Sequence, residues 1–201
     1  MDTYRSIRAQ SEGLYKDRGS RFLAIAFPVE SADEAKGIIL SLKKEYHDAR
    51  HHCFAWRLGF SGEEFRASDD GEPSGSAGRQ ILGQIDSAGL SDILVVVVRW
   101  FGGIKLGVPG LIKAYKTSAA DAIANAEVVE KVAGKWVRLN FGYASMPAVM
   151  SMVKSMSLPM RAQSYEEDCS VEVRVRLSLE EDFIKNAGNI SGLTWETPDS
   201  R

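Results

Sequence analysis

The sequence is poor in cysteine and has no long apolar run. Its two cysteines, Cys53 and Cys169, are too few for a disulfide framework and show no paired metal-ligand spacing. The longest apolar run, Ile93 to Val98, is far shorter than the ~20 residues that cross a bilayer. Charges also interrupt the first twenty residues, where a secretory signal needs an apolar stretch. These absences predict reduced thiols, no membrane partner and a cytoplasmic protein.

The chain also lacks an excess of charge of either sign. Its net charge is −2, and neither half is basic, so composition excludes a basic nucleic-acid module. Any contact with RNA needs a local patch, and no DNA sequence specificity is expected. What is present is a globular composition, with 44% apolar and 26% charged residues in a chain of 201, enough for one large or two modest domains.

The first part of the chain alternates strand and helix patterns. The capping box Ser31 to Glu34 predicts the start of a helix that continues to about Tyr46. The β-branched run ILVVVVR after Asp92 predicts a buried strand in the middle of a sheet. The other predicted elements are strands at Arg21 to Val29, His51 to Phe60 and Phe65 to Ala67, and helices around Ile81 to Ile85 and Pro109 to Ile123.

The second part has the order βαββαβ. The predicted elements are a strand at Val137 to Tyr143, a helix at Met146 to Met156, strands at Met160 to Tyr165 and Cys169 to Leu177, a helix opened by the capping box Ser178 to Glu181, and a strand at Leu193 to Glu196. This order is that of the split βαβ, ferredoxin-like motif. We therefore predict an α+β protein with domains at 1–126 and 135–201, joined by a linker at about 127–134.

Two adjacent histidines and a cysteine open one predicted strand. Imidazole and thiolate are zinc ligands, but neighbouring strand residues point to opposite faces, so at most His51 and Cys53 share a side. The spacing favours a structural role with one buried and one surface histidine. A general-base role for His51 or His52 stays open.

The loop SDDGEPSGSAG carries three carboxylates, Asp69, Asp70 and Glu72. Such a cluster suits acid and base steps or a weakly held Mg²⁺. A turn at Asp70, with Ser74 or Ser76 capping the following helix, explains the loop equally well. We predict no tightly bound metal and no cofactor, and the start of this helix is a candidate anion site.

Several glycines lie in the connection between a predicted strand and the following helix, in the segment RWFGGIKLGVPGLIKAY. It matches neither a P-loop nor the dinucleotide-binding glycine pattern. One interpretation is structural, with glycines for a sharp turn and Trp100, Phe101 and Leu106 in the core. The other is a basic patch beside stackable aromatics, made by Arg99, Lys105, Lys113 and Lys116.

Four separated motifs together resemble those of the IMPACT family, in its bacterial YigZ-type branch. They are Ser20-Arg-Phe22, Arg50-His-His-Cys53, the loop from Ser68 to Gly78, and Val98 to Gly107 with Gly110 to Tyr115. They occur in the family order and cover most of Ser20 to Ala124, while the tail from about Lys135 resembles the small C-terminal domain of that branch by pattern.

The resemblance implies an N-terminal domain like domain 2 of ribosomal protein S5 and a ferredoxin-like C-terminal domain similar to one in translation elongation factor G. Eukaryotic members regulate translation initiation by competing with a kinase for its activator protein. That role relies on an additional N-terminal domain, so this partner is not transferred to the present chain. For the bacterial branch the resemblance implies no established reaction, and fold analogy makes ribosome or nucleic-acid binding the usual expectation.

We therefore expect a non-enzymatic cytoplasmic binding protein linked to regulation of translation, contacting ribosome, RNA or a translation factor through its glycine-rich loops. The helix starts after the two loops are expected to converge and to offer free amides to an anion. The expected binding residues are Arg79, Arg99, Gly102, Gly103, Lys105, Gly107 and Lys113. The alternative is a metal-assisted hydrolase that uses Asp69, Asp70, Glu72 and either His51 or His52.

Overall fold

A computed structural model describes residues 2–165 and 168–197. Contacts divide the chain into two compact units. One unit is formed by residues 4–131, and the other by the described residues from 132 onward together with residues 2 and 3. The division falls within the segment predicted as a linker, where residues 128–132 form a strand.

The first unit is built on a five-stranded sheet in the order β2-β3-β6-β4-β5, in which all neighbours are antiparallel. A separate two-stranded sheet joins β1 to β7. The elements in chain order are β1 (Thr3–Ile7), β2 (Ser11–Asp17), β3 (Ser20–Pro28), α1 (Ala32–Glu45), β4 (His51–Leu58), β5 (Glu64–Ser68), α2 (Gly78–Ala88), β6 (Ile93–Trp100), α3 (Gly107–Ala124) and β7 (Val128–Val132).

The middle strand β6 is buried on both faces. Ile93, Val95 and Val97 pack in the cluster that contains residues of α2 and α3, whereas Leu94 and Val96 pack in the cluster that contains residues of α1. Since a strand covered on both sides needs apolar residues at every position, the unbroken apolar run follows from this placement. The prediction of a buried strand in mid-sheet is confirmed.

Helix α1 begins where the sequence predicted. The side chain of Ser31 accepts a hydrogen bond from the backbone N–H of Glu34 at 3.2 Å. The carboxylate of Glu34 reaches one residue further back than in a standard capping box and accepts from the N–H of Glu30 at 2.7 Å. Both contacts satisfy N–H groups near the start of the helix.

Two strands precede the first one predicted. Their sequences, TYRSI in β1 and SEGLYKD in β2, contain few apolar residues. Strand β2 pairs with β3 along its whole length and packs against α3, where Gly13 meets the helix backbone so closely that a Cβ would lie 2.2 Å from the nitrogen of Ala122. Contacts distant in sequence therefore determine this strand, and its own residue pattern does not.

The second unit has a four-stranded antiparallel sheet in the order β11-β8-β10-β9. Residues of α4 and α5 share one buried cluster with alternate residues of β8 and β10, so both helices cover the same face of the sheet. The elements are β8 (Gly134–Phe141), α4 (Met146–Ser155), β9 (Met160–Tyr165), β10 (Cys169–Arg176), α5 (Glu180–Gly188) and β11 (Leu193–Glu196). Single turns of 3₁₀ helix lie at Tyr143–Ser145 and Leu177–Leu179.

The second predicted capping box is wrong. Helix α5 starts after Leu179, and its N-cap makes no side-chain hydrogen bond. The hydroxyl of Ser178 instead donates to the carboxylate of Asp2 at 2.7 Å. The hydroxyl of Ser178 therefore bonds a residue near the other end of the chain, whereas the local sequence predicts that it caps the helix.

Both units combine helices with antiparallel sheets, so the predicted α+β class is confirmed. Within the described residues, no helix is both long and apolar enough to span a membrane.

Candidate functional site

A groove of about 390 Å³ lies beside the start of α3 in the first unit. The two glycine-rich loops meet here, since the groove is lined both by the loop that precedes α2 and by the loop that follows β6. Its lining residues are Arg50, His51, Glu72, Pro73, Arg99, Phe101, Lys105, Leu106, Gly107, Val108 and Leu111. The groove therefore combines an apolar wall with several cationic groups.

Glu72 is a buried carboxylate with two strong partners. Its Oε1 accepts hydrogen bonds from the guanidinium of Arg99 at 2.5 Å and from the hydroxyl of Tyr115 at 2.7 Å. The Glu72 side chain is 4% exposed and that of Arg99 8%. Because a buried charge needs a partner, this pairing accounts for the position of Glu72 without a bound cation.

The network continues from Tyr115 to Cys53. The Sγ of Cys53 lies 3.3 Å from the Tyr115 hydroxyl oxygen and 3.0 Å from the carbonyl oxygen of Asp69. Burial raises the pKa of both the Cys53 thiol and the Tyr115 phenol far above their ordinary values. Both groups therefore stay protonated at neutral pH, and Cys53 is not an activated nucleophile.

His51 is held in one orientation at the groove. Its Nδ1 lies 2.9 Å from the carbonyl oxygen of Asp70, a geometry in which Nδ1–H donates to that oxygen. In the neutral ring this leaves Nε2 as an acceptor, 3.9 Å from the Oε1 of Glu72. The side chain is 21% exposed. His51 can thus accept a hydrogen bond from a ligand in the groove.

Asp69 caps α2 from nine residues upstream of its first residue. Its carboxylate accepts hydrogen bonds from the backbone N–H groups of Gly75 at 2.8 Å, Ala77 at 3.0 Å and Gly78 at 2.8 Å. The predicted cap by Ser74 or Ser76 is therefore wrong. The amides at the start of α2 are occupied by the protein's own carboxylate, so the expectation that they are free for an external anion is wrong as well.

Asp70 also has partners within the fold. Its carboxylate accepts from Lys43 Nζ at 2.7 Å and from the backbone N–H of His52 at 2.7 Å. Partial burial acts to raise the pKa of Asp70, but these hydrogen bonds outweigh it and hold the pKa below the ordinary value. Among the residues described, no cluster of three or more His, Cys, Asp or Glu side chains is placed to hold a metal ion.

The two histidines differ as one of the sequence interpretations predicted. His52 is 5% exposed, whereas His51 is only partly buried at the groove. Burial lowers the pKa of His52, with the Asp70 carboxylate opposing that effect. His52 is not among the residues that line the groove.

The start of α3 lines the groove through Gly107 and Val108. Its N-cap, Leu106, makes no side-chain hydrogen bond, and the amides of Gly107 and Val108 belong to the first turn. Pro109 has no N–H to satisfy. Since the first N–H groups of a helix carry partial positive charge, this turn favours an anion.

Cationic side chains surround the same position. Arg50, Lys105 and Arg99 line the groove, and the Nε of Arg99 is buried and has no hydrogen-bond partner among the described residues. Because Arg99 is already paired with Glu72, the uncompensated charge of the groove comes from Arg50 and Lys105. The local potential is therefore positive although the chain has a net charge of −2.

The glycines of this region are required by the backbone. A Cβ on Gly102 would lie 1.9 Å from the carbonyl carbon of Gly19, and the Gly102 N–H donates to Ser20 Oγ at 3.1 Å. Gly103 and Gly107 have φ values of +88° and +71°. These positions need glycine for conformation or for close approach, whether or not a ligand contacts them.

The structure brings together some of the predicted binding residues and leaves others apart. Arg99, Lys105 and Gly107 line the groove, whereas the exposed side chains of Arg79 and Lys113 do not. Arg50 is absent from the predicted set although it begins the Arg-His-His-Cys motif. Its position beside His51 at the start of β4 was the signal that could have found it.

Comparison with known proteins supports one family. The Impact N-terminal domain model matches residues 18–123. YvyE of Bacillus subtilis is 30% identical over 175 residues, which covers 87% of this chain and 81% of YvyE. YigZ of Escherichia coli is 44% identical over 98 residues, 48% of this chain and 48% of YigZ, so that match spans about half of the relative's length.

A solved structure agrees over the whole chain. A crystal structure of a hypothetical protein superposes with a TM-score of 0.75 at 27% identity, covering 100% of both chains. With the family model matching more than half of the residues, this chain belongs to the IMPACT family, alongside the bacterial YigZ-type and YvyE-type members. The family predicted from the four motifs is confirmed.

Proposed function

We propose that this protein is a non-enzymatic, cytoplasmic binding protein linked to regulation of translation, and that its groove holds a phosphate group of RNA in the translation machinery. Arg50 and Lys105 supply charge, the start of α3 supplies backbone N–H donors, and the Nε2 of His51 accepts a hydrogen bond from a ligand hydroxyl. Phe101, 43% exposed, offers an aromatic face beside them.

The observation that carries this proposal is the coincidence, among the described residues, of two cations without an ion pair and a helix start without a side-chain cap. Either feature alone is common on protein surfaces. Here Arg50 and Lys105 line the same groove as the first turn of α3, and the groove's carboxylate, Glu72, is already neutralised by Arg99. An incoming phosphate therefore meets donors without meeting an uncompensated negative charge.

The link to translation rests on family membership, because the IMPACT resemblance implies a role in translation. RNA is favoured over an acidic protein segment because the groove places an aromatic ring next to the cationic groups. A ribosomal subunit or a translation factor that presents the same phosphate chemistry would be engaged through the same residues.

The metal-assisted hydrolase is the competing proposal, and the contacts of its candidate residues favour binding instead. Asp69 caps α2 and Asp70 bonds Lys43, so neither carboxylate lines the groove. His51 and Glu72 do meet there, 3.9 Å apart. A His51→Gln variant separates the two proposals, because it removes the imidazole that hydrolysis would use as a base, whereas phosphate binding by Arg50, Lys105 and the start of α3 should persist.

We also propose the finer fold assignments. The strand order β11-β8-β10-β9 with two helices on one face supports a ferredoxin-like second unit. The five-stranded antiparallel sheet with helices on both faces supports an S5 domain 2-like first unit. That the two units are domains able to fold separately stays a prediction, which expression of residues 1–131 alone would test.

The experiment is RNA binding by the full chain, measured by fluorescence anisotropy with a labelled single-stranded fragment of ribosomal RNA. The double variant Arg50→Ala and Lys105→Ala is expected to bind at least tenfold more weakly at 0.1 M salt. The slope of log affinity against log salt should fall by about 0.7 for each phosphate that the variant no longer neutralises. Unchanged affinity and slope in the double variant would refute the proposal.

Arg79→Ala and Lys113→Ala form the matched control. Both residues are exposed cations of the same unit that do not line the groove. Binding close to that of the parent is expected for this pair. A decrease in affinity as large as that of the groove variant would mean that overall charge, and not the groove, governs the affinity.

A further inference from the structure

The two edges of the five-stranded sheet are covered differently. At β2, the backbone N–H of Leu14 donates to the carboxylate of Asp121 at 2.9 Å, and the side chain of Asn125 donates to the carbonyl of Glu12 at 2.8 Å. Both partners come from α3 or its end. This edge is therefore closed by the fold itself.

The opposite edge, β5, has no comparable cover in the described part of the chain. Strand β4 is the neighbour that pairs with it, and residues 64–67 are all exposed. One side of β5 therefore presents a row of backbone N–H and C=O groups to solvent. Such a row is a template for another strand.

A second groove, of about 400 Å³, lies between α1 and the sheet at this edge. Its floor includes Phe54 and Trp56, and its wall includes Leu40, which is 52% exposed. Arg66 of β5 also lines it. In the sheet Arg66 lies opposite Trp56, so alternate side chains of a strand added beside β5 would enter this groove.

The rim of this groove is mainly cationic. Lys36, Lys43 and Arg66 line it, against one carboxylate, Asp33. Lys43 is bonded to Asp70, which leaves Lys36 and Arg66 as the cations that can meet a partner. The lining of the groove is thus complementary to an apolar side chain flanked by acidic residues, while the exposed carboxylate of Glu64, on the same face of β5 as Arg66, opposes an acidic residue beside the first position of that strand.

The other face of the edge also carries an exposed aromatic ring. Phe65 is 55% exposed, and the guanidinium of Arg57 lies 5.0 Å from the centre of its ring. Because successive residues of a strand face opposite sides, an added strand would cover Phe65 with one set of side chains and Trp56 with the other.

We propose that β5 is a docking edge for a partner protein, which adds an extended acidic segment with a central aromatic or aliphatic residue as a sixth strand. This surface is separate from the phosphate groove, and the proposal goes beyond the RNA-binding function. Backbone hydrogen bonds to β5 supply affinity, while the Trp56 floor and the pair Lys36 and Arg66 select the sequence.

The test uses labelled synthetic peptides and the full chain. The probe has the sequence Asp-Glu-Val-Phe-Ile-Glu-Asp, and its counterpart carries lysine at every acidic position. We expect the acidic peptide to bind at least tenfold more tightly and to shift the NMR amide signals of residues 64–68. An acidic peptide with alternate backbone nitrogens methylated should lose this binding, because it keeps its side chains but cannot extend the sheet.

Variants assign the binding to this edge. The double variant Lys36→Glu, Arg66→Glu should bind the acidic peptide at least tenfold more weakly. Lys154 is an exposed lysine of the second unit, and Lys154→Glu should leave peptide binding unchanged. Equal binding of the two peptides, or shifts confined to other residues, would overturn the proposal. A peptide-free chain that dimerises in sedimentation through β5 would overturn it too, since the edge would then serve a second copy.

The same variants keep this proposal separate from the RNA-binding function. RNA affinity should be retained when Lys36 and Arg66 are reversed in charge, apart from a small general effect of net charge. Peptide binding should be retained when Arg50 and Lys105 are replaced by alanine. Each proposal can therefore fail while the other survives.

Discussion

The carboxylate of Asp69 accepts a hydrogen bond from the backbone N–H of Gly78, the first residue of α2, at 2.8 Å. The same carboxylate holds the N–H groups of Gly75 and Ala77. One side chain therefore folds the glycine- and serine-rich loop back onto the helix that follows it. This contact gives a structural reason for an aspartate that sequence alone associates with metal binding or catalysis as readily as with a turn.

Replacing Asp69 by alanine should therefore reduce stability. Loss of a helix cap costs about 0.5–2 kcal/mol, and we expect the upper part of that range because three N–H groups lose their acceptor. Asp69→Asn, which keeps one amide oxygen as acceptor, should lose less. Urea unfolding measures both, and a stability of Asp69→Ala equal to that of the parent would contradict the capping role.

Breaking the ion pair between Glu72 and Arg99 should reduce the free energy of unfolding more than removing the Asp69 cap does. Glu72→Gln leaves a buried guanidinium without its counter-charge, and breaking a buried ion pair in this way costs about 3–5 kcal/mol. Tyr115→Phe removes one hydrogen-bond donor to the same charged carboxylate and should cost about 1.5–3 kcal/mol. If both variants lost the same small amount of stability in urea unfolding, the buried pair would not be the dominant interaction.

Gly102→Ala tests the close approach of two loops. The added Cβ would lie 1.9 Å from the carbonyl carbon of Gly19, and backbone atoms there cannot move as the end of a side chain can. We expect a decrease in stability of about 1–3 kcal/mol, the usual cost of an overpacked site, or more.

Gly37→Ala is the matched control, because nothing lies within 4 Å of a Cβ at this position in α1. Alanine there should raise the thermal midpoint, since glycine within a helix is unfavourable by about 0.5–1 kcal/mol. A Gly102→Ala protein as stable as Gly37→Ala would disprove the backbone explanation of the first glycine.

The lowered pKa of His52 should make the protein less stable in mild acid. Burial lowers its pKa below 6.5, so as pH falls the unfolded chain takes up the proton before the folded chain does. This group therefore lowers the free energy of unfolding as pH falls through 6.5 towards the folded-state pKa.

The pKa of Asp70 is depressed below 3.8, so the stability it contributes is lost only in stronger acid, outside that window. Urea unfolding at pH 7.5 and at pH 5.5 compares the parent with His52→Gln. The decrease between the two pH values should be smaller in the variant, and an equal decrease would assign the effect to other groups.

Much of the fold follows from local pattern. The apolar run of β6 is explained by burial of both faces of that strand. The alternation in β10 is explained by burial of one face. The cap at Ser31 is likewise a contact between residues three apart. These elements were predicted correctly because each depends either on a contact between residues close in sequence or on the burial of apolar residues.

The remaining features depend on partners distant in sequence. Strand β2 is fixed by β3 and α3, and Ser178 bonds Asp2 instead of capping α5. Within the site, the sequence grouped three neighbouring carboxylates, but each has its own partner: α2 for Asp69, Lys43 for Asp70 and Arg99 for Glu72. Side chains at neighbouring positions of a loop need not point the same way. The different partners of these three carboxylates are set by the tertiary fold, which the local sequence does not reveal.

The proposed function depends on phosphate binding in the groove at the start of α3. The most direct measurement is a titration of the full chain with a short uridine oligonucleotide, followed through the NMR amide signals of Gly107 and Val108. We expect saturable shifts of both amide signals that weaken with added salt and disappear in the Arg50→Ala, Lys105→Ala variant. RNA binding that leaves these two amides unshifted, or shifts that persist in the double variant, would contradict the proposed function.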